Sequence, residues 1–135
     1  MFYRTKITFL FLLFFNGLIT LSCQEKIRVG AAQTEEYLSL FKNKRIGVVA
    51  HQASLIPSSK GDLHLVDVLL ENQIDLKKVF APEHGFRGTA DAGEKIENQR
   101  DPKTQLPIIS LYGQNRKPTP AQLQDIDLMV FDLQD

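Results

Sequence analysis

Short apolar runs alternate with helical patterns along the chain, and this alternation constrains the fold more than any other feature of the sequence. The runs lie at residues 45–50, 76–81, 108–112 and 128–131. The β-branched run at residues 45–50 is typical of a strand that is buried on both faces, and the other three runs are also predicted to be strands. Helical patterns that precede or separate the runs begin at capping residues, Thr34, Asp62 and Thr119. Strands that alternate with helices predict an α/β fold with a mostly parallel sheet and helices on both of its faces.

The first 23 residues differ in composition from the rest of the chain. Arg4 and Lys6 are their only charged residues, and a mostly apolar run follows from residue 7 to residue 19. A positive start and a 13-residue apolar run match a secretory signal, and the run is short for a membrane-spanning helix. We therefore predict that residues 1–23 are a signal peptide and that the protein is exported.

The end of this leader resembles a bacterial lipobox, because the small residue Ser22 precedes Cys23, the only Cys of the chain. In lipoproteins the thiol of such a Cys is diacylated and becomes the mature N-terminus. A free thiol is also unfavourable in an oxidising compartment. We expect Cys23 to be lipidated and residues 1–23 to be a lipoprotein-type signal peptide, so that the protein is periplasmic or membrane-anchored. Ordinary cleavage near Ser22, which would leave a soluble exported protein, is the alternative.

Charge and cysteine content exclude several classes of function. The chain has 16 basic and 16 acidic residues, and this balance argues against the basic surface of a nucleic-acid-binding protein. A single Cys excludes an intramolecular disulfide framework and every multi-Cys zinc site. We expect no nucleic-acid partner, no cofactor and no metal.

A polar stretch follows the second predicted strand. Residues 82–106 contain almost no apolar periodicity, and an irregular stretch of this length in a compact domain is usually functional or disordered. Glu83, His84 and Arg87 lie at its start, among glycines that predict turns. Open parallel sheets bind ligands outside the carboxyl ends of their strands. The residues alone therefore predict a polar site at these strand ends, to which His51 and residues 132–135 also belong.

Three segments resemble a known family. They read APEHGFRGTADAGE at residues 81–94, DPKTQLPIISLYG at residues 101–113 and DLMVFDLQD at residues 127–135. Together they closely resemble the exo-β-N-acetylmuramidase family (NamZ-type glycoside hydrolases), and the resemblance covers nearly all of residues 27–135. The family's members are exported or lipoprotein hydrolases that release N-acetylmuramic acid from the non-reducing end of peptidoglycan fragments.

The resemblance also implies an architecture. The family combines a Rossmann-like N-terminal domain with a C-terminal domain, and its active site lies in the cleft between them. We therefore expect residues 24–135 to be an incomplete N-terminal Rossmann-like catalytic domain from which the C-terminal domain is missing. A last predicted strand without a helix after it also suggests a fragment or a truncated product.

The resemblance assigns catalytic roles by position. Glu83 matches the glutamate proposed as catalytic in the family's PEHG segment. Glycoside hydrolysis needs a general acid for the leaving oxygen and a second group at the anomeric carbon. Glu83 is the expected acid, because partial burial in a cleft raises the pKa of a Glu towards neutrality. The second group is expected to be Asp132 or Asp135, which match the family's D-x-Q-D strand end, or the substrate's own 2-acetamido oxygen.

Further residues are expected to bind the substrate. They are His84, Arg87, Asp91, Gln134 and Tyr112. Arg87 is expected to meet the lactyl carboxylate of the muramic sugar, because a guanidinium binds a carboxylate at two points. Tyr112 either stacks on a sugar ring or belongs to the core. The expected partners are peptidoglycan-derived saccharides and, through Cys23, a membrane.

Two other classes of function stay open. A metal-dependent hydrolase would use Glu83, His84, His51 and an Asp, although no H-E-x-x-H or H-x-H spacing orients these ligands. A non-catalytic cell-wall-binding lipoprotein would keep the sugar site without hydrolysis. His64, in the first turn of the second predicted helix, is expected to be a solvated surface residue.

Overall fold

The computed structural model of the protein describes residues 27–82, 85–87, 99–113 and 116–134. The predicted signal peptide and lipidation site, Cys23, lie outside these residues. In the described part of the chain, no helix is both long and apolar enough to cross a membrane.

The described residues contain seven strands and three short α-helices. The strands are β1 (Ile46–Ala50), β2 (Leu55–Ile56), β3 (Leu63–His64), β4 (Leu76–Ala81), β5 (Gln99–Arg100), β6 (Pro107–Ser110) and β7 (Leu128–Asp132). The α-helices are α1 (Thr34–Tyr37), α2 (Leu65–Glu71) and α3 (Pro120–Leu123), with 3-10 turns at Gly30–Ala32 and Leu38–Phe41.

Five of the strands form one sheet in the order β5-β6-β4-β1-β7. β1 pairs in parallel with both β4 and β7, and β4 pairs in parallel with β6. Only β5, at the far edge of the described sheet, runs antiparallel. The parallel strands, numbered along the chain, stand in the order third, second, first, fourth, which is the Rossmann order. The predicted α/β fold with a mostly parallel sheet is thereby confirmed.

The main core lies on one face of this sheet. Ile46, Val48 and Ala50 of β1 point to that face, together with Val79 of β4, and pack against the apolar side of α2. All four are shielded almost completely from solvent. This burial follows from the sequence, because strands with helices on both faces need continuous apolar runs.

The opposite face is covered by the segment around α3. The ammonium of Lys78 donates to the Gln122 carbonyl oxygen of this segment (3.0 Å). Gly47 permits the close approach, because a Cβ there would lie 2.7 Å from both Ile126 Cδ1 and Met129 Sδ. Further along β7, Phe131 is 73% exposed on this face.

Several predicted elements are confirmed. β4 has the predicted bounds, and β1 and β7 differ from theirs by one residue at one end. β6 ends at Ser110, two residues before its predicted end. At α3, Thr119 accepts from the Gln122 N–H while the Gln122 side chain accepts from the Thr119 N–H, which is a capping box.

The predicted caps of the first two helices are wrong. α1 begins at Thr34 as predicted, but its N-cap is Gln33, which makes no side-chain cap hydrogen bond. α2 begins at Leu65 and is capped by His64, not by Asp62. The physical reason is the β2–β3 hairpin, which keeps the chain extended as far as His64. His64 is also buried rather than solvated.

Candidate active site at the carboxyl ends of the parallel strands

The carboxyl ends of β1, β4, β6 and β7 meet at one edge of the sheet. Ala50 of β1 is in register with Asp132 of β7, and Ala81 of β4 is in register with Ser110 of β6. The strand order reverses between β1 and β7, and ligands of open α/β sheets bind beside such a reversal. The predicted location of the site is therefore realised as a set of neighbouring chain segments.

The segment after β4 is tied down on both sides of residues 83–84. The Ala81 carbonyl oxygen accepts from the Leu111 N–H (2.7 Å), which extends the pairing with the β6 segment. Beyond the gap, the Gly85 N–H donates to the Pro82 carbonyl oxygen (3.1 Å). Gly85 has a φ of 72°, which is a conformation that favours glycine.

Four of the predicted site residues lie outside the described part of the chain. These are Glu83, His84, Asp91 and Asp135. Their predicted roles stay predictions.

Arg87 is the centre of a charged cluster. Its Nε and Nη2 donate to the two carboxylate oxygens of Asp101, each at 2.9 Å. Its Nη2 and Nη1 donate to the two carboxylate oxygens of Asp67, at 2.7 and 3.1 Å. One guanidinium is thus held by two carboxylates, and such two-point contacts fix its orientation as well as its position. We call Arg87, Asp67, Asp101, Lys103 and Thr104 the Arg87 cluster.

The outer members complete the hydrogen bonding of the two carboxylates. Thr104 donates to Asp101 through its hydroxyl (2.6 Å) and its N–H (3.2 Å). The ammonium of Lys103 donates to Asp67 (2.7 Å). Asp101 is fully buried and Asp67 nearly so, and buried charges persist only when they are paired in this way.

The cluster keeps its members ionised. Burial on its own raises the pKa of Asp101, but hydrogen bonds from Arg87 and Thr104 outweigh it and lower that pKa below its ordinary value. The pKa of Asp67 is lowered in the same way, with burial opposed by hydrogen bonds from Arg87 and Lys103. Burial lowers the pKa of Arg87, but its hydrogen bonds to Asp67 and Asp101 outweigh burial and raise that pKa above its ordinary value. The guanidinium therefore stays charged.

An aromatic contact joins the cluster to the β2–β3 hairpin. The guanidinium carbon of Arg87 lies 4.6 Å from the centroid of the Phe86 ring, a cation–π contact. The buried Phe86 ring meets the His64 ring edge-on, with 4.7 Å between centroids. His64 in turn lies with Nε2 3.0 Å from the His51 carbonyl oxygen. The loops after β1 and after β4 are therefore packed together through these rings.

Hydrogen bonds determine the protonation of His64. Its Nδ1 accepts from the Val66 N–H (3.2 Å), so the proton of the neutral ring must sit on Nε2, where it is donated to the His51 carbonyl. Burial lowers the pKa of His64, an effect that the hydrogen bond to His51 opposes and the charge of Arg87 reinforces.

The end of β7 brings two further predicted residues together. Gln134 Nε2 donates to both carboxylate oxygens of Asp132, each at 3.1 Å. The buried hydroxyl of Ser54 donates to the Asp132 main-chain carbonyl (2.6 Å) and lies 3.4 Å from His51 Nδ1. Because its proton is already donated to a carbonyl, Ser54 holds the β7 end in place and is not set up as a nucleophile.

Two predicted binding residues have different surroundings. Tyr112 lies just past β6 and is 41% exposed, so its ring is not part of the core. Arg87 donates from all three of its nitrogens to Asp67 and Asp101, and its contact with a substrate carboxylate stays a prediction. The described residues contain no group of three or more His, Cys, Asp or Glu side chains that would hold a metal ion.

Comparison with known proteins identifies the family. The family described as "Exo-beta-N-acetylmuramidase NamZ, N-terminal" matches residues 46–135. The chain belongs to this family. The match includes the segment after β4, the Arg87 cluster and the end of β7, so the resemblance inferred from the sequence is confirmed.

The family relatives are longer than the chain. This chain is 44% identical over 101 residues to the protein named "Peptidoglycan beta-N-acetylmuramidase NamZ" of Bacillus subtilis (strain 168). The alignment covers 74% of this chain and 24% of the relative. Two crystal structures of DUF1343 family proteins from Bacteroides fragilis NCTC 9343 are each 35% identical. They superpose with TM-scores of 0.63 and 0.64 over 82% and 76% of this chain, and over 26% and 24% of their own. The chain thus spans about a quarter of the length of these relatives.

Sequence reasoning missed the partners of Arg87. One signal was available for Asp67, which interrupts the apolar segment LVDVLL of α2. A carboxylate on the buried side of a helix requires a charged partner, because ionised groups are almost never buried alone. Asp101 gave no such signal, since its DPKT segment reads as an ordinary polar turn.

Proposed function

We propose that this chain is the N-terminal part of a peptidoglycan β-N-acetylmuramidase that releases N-acetylmuramic acid from the non-reducing end of cell-wall fragments during turnover and recycling. The observation that carries the proposal is the family match over residues 46–135. The location of polar segments at the carboxyl ends of β1, β4 and β7 supports it, because this is where open parallel sheets bind ligands.

In this proposal Glu83 protonates the glycosidic oxygen as the bond to the anomeric carbon breaks. It follows Pro82 directly, at the end of a buried strand whose position is fixed on both sides by pairing with β1 and β6. A rigid strand end is a suitable support for a general acid, since proton transfer requires the acid to lie within hydrogen-bond reach of the leaving oxygen.

Asp132 is the candidate for the second catalytic group that lies within the described residues. β1 lies between β4 and β7, so the two strand ends are about 10 Å apart at the usual spacing of neighbouring strands. Glycosidases use two carboxyl groups about 5 to 10 Å apart, so a carboxylate at the end of β7 is a reasonable candidate for the partner of an acid that follows β4. Asp135 and the substrate's 2-acetamido oxygen are the other candidates for this role.

The test is hydrolysis of a chromogenic muramic-acid glycoside by the protein as its gene encodes it. Glu83→Gln should lower kcat by about 10²- to 10⁴-fold, the contribution of a positioned general acid. Glu71→Gln, at the exposed end of α2, is the matched control and should leave kcat unchanged. A wild-type rate for Glu83→Gln would remove Glu83 from the mechanism.

The same assay separates the alternative functions. Saccharide binding by wild-type protein without release of reducing sugar would favour a cell-wall-binding lipoprotein. Loss of turnover on chelation, with recovery on adding a divalent metal, would favour a metal-dependent hydrolase.

We also propose that the protein is exported and that Cys23 carries a lipid anchor, on the strength of the leader described above. Cells labelled with a fatty-acid analogue should yield labelled wild-type protein and unlabelled Cys23→Ala. An unlabelled wild type would rule out the anchor.

A further inference from the structure

The Arg87 cluster ties together three parts of the chain that are distant in sequence. Asp67 comes from α2, Arg87 from the segment after β4, and Asp101 from the turn that follows β5. Nε donates to Asp101, Nη1 donates to Asp67, and Nη2 donates to both. The segment that carries Arg87 is therefore fixed to two other parts of the chain.

The cluster fixes one flank of residues 83–84. Arg87 is four residues from Glu83, and the two residues before it are anchored as well. Phe86 is buried between His64 and the guanidinium, and Gly85 is bonded to Pro82. The other flank is the end of β4, which is held by main-chain pairing with β1 and β6. The described residues on both sides of positions 83–84 are therefore anchored.

We propose that Asp67 and Asp101 are positioning residues for the hydrolytic reaction, and that they act through Arg87 by holding residues 85–87, which follow the proposed acid Glu83 in the sequence. The inference rests on the proposed function, and it assigns no contact with substrate to either aspartate. The buried location of Asp101 suits such a role, because the side chain is 1% exposed and is bonded to Arg87 and Thr104.

The proposal predicts an effect on kcat more than on KM. Replacement of either aspartate by Asn removes the negative charge and one of the two accepting oxygens that face Arg87, and it places an NH2 donor against the guanidinium, so the segment 85–87 can shift. A displacement of about 1 Å in a reacting group can cost about 10²-fold in rate. Groups that bind the substrate from other strand ends keep their positions, so substrate affinity changes little.

The experiment compares Asp101→Asn and Asp67→Asn in the protein as its gene encodes it, with the chromogenic muramic-acid glycoside as substrate. We expect kcat to fall at least ten-fold in both, with KM within about three-fold of wild type. The second variant guards against a folding defect in the first, because Asp67 is less deeply buried than Asp101.

Asp127→Asn is the matched control. Asp127 accepts two hydrogen bonds from the guanidinium of Arg45, at 2.7 and 3.0 Å, so it forms the same kind of pair. That pair is exposed and lies at the amino end of β1, on the opposite edge of the sheet. Its loss should leave both kcat and KM unchanged.

Hydrogen exchange supplies a readout that does not depend on turnover. Peptides that cover residues 82–87 should exchange at least ten-fold faster in Asp101→Asn and Asp67→Asn than in wild type. In Asp127→Asn they should exchange at the wild-type rate. Folded Asp101→Asn and Asp67→Asn with wild-type kcat and wild-type exchange would overturn the proposal. So would a raised KM with unchanged kcat, which would make Arg87 a substrate-binding residue.

Failure of the proposed function would look different. Wild-type protein that does not hydrolyse the glycoside would overturn the muramidase assignment. The exchange measurement would then still decide whether the two aspartates hold the segment after β4.

Discussion

Acidification should destabilise the protein through one buried imidazole. Burial lowers the pKa of His64 below its ordinary value of 6.5. Above that pH the ring is neutral in both the folded and the unfolded protein, and its contribution to stability is complete. Below it the unfolded chain binds a proton that the folded protein does not, so the free energy of unfolding falls as the pH falls.

The structure explains why the folded protein resists this proton. A protonated ring donates from both nitrogens, so Nδ1 could no longer accept from the Val66 N–H and α2 would lose its cap. Loss of an N-cap costs about 1 kcal/mol. From linkage, one group contributes at most about 1.4 kcal/mol per pH unit. We expect a loss of about 1 to 2 kcal/mol between about pH 6.5 and about pH 5.

Urea titrations at about pH 7.5, 6 and 5 measure this loss. The chain has no Trp, so unfolding is followed by far-ultraviolet circular dichroism. His64→Asn keeps a side chain that caps helices but does not titrate. It should be less stable than wild type near neutral pH, because the buried ring contact with Phe86 is gone, and it should depend less steeply on pH. Equal pH slopes for wild type and His64→Asn would refute the reasoning.

Two further predictions concern the sheet and the last helix. Gly47→Ala should lower stability by about 1 kcal/mol and lower the melting temperature, because its Cβ would displace Ile126 and Met129 and would lie 3.2 Å from the buried Phe80 ring, whereas Gly30→Ala adds a methyl group to open space and serves as its control. Thr119→Ala should cost about 1 kcal/mol, because the Gln122 N–H loses its capping acceptor, and a wild-type urea midpoint would contradict the role of the capping box.

The strands were predictable because their signal is local. Residues 76–81 lie between Asp75 and Pro82, which bound the predicted strand, and β4 has those bounds. The β2–β3 hairpin escaped prediction because each of its strands has only two residues, too few to show a period. The wrong cap of α2 follows from the same omission, since Asp62 is a better capping residue than His64 by sequence preference alone.

The neighbourhood of the strand-end segments was predictable, but their side-chain contacts were not. Parallel strand ends and the order of the elements place the segments after β1, β4 and β7 at one edge. The pairing of Arg87 with Asp67 and Asp101 depends on how three distant segments pack, which no spacing in the sequence reveals. Nothing in the sequence therefore indicated that Arg87 donates four hydrogen bonds within the protein, and its contact with a substrate stays a prediction.

The edge of the sheet at β7 has a consequence for handling the protein. Within the described part of the chain, β7 pairs only with β1, and its side chains include Phe131, 73% exposed, and Met129, 37% exposed. An edge strand with unpaired main-chain groups and apolar side chains is a template for association with another copy. We expect preparations in which this edge stays uncovered to self-associate as their concentration rises. Samples for exchange or spectroscopy should therefore be kept dilute.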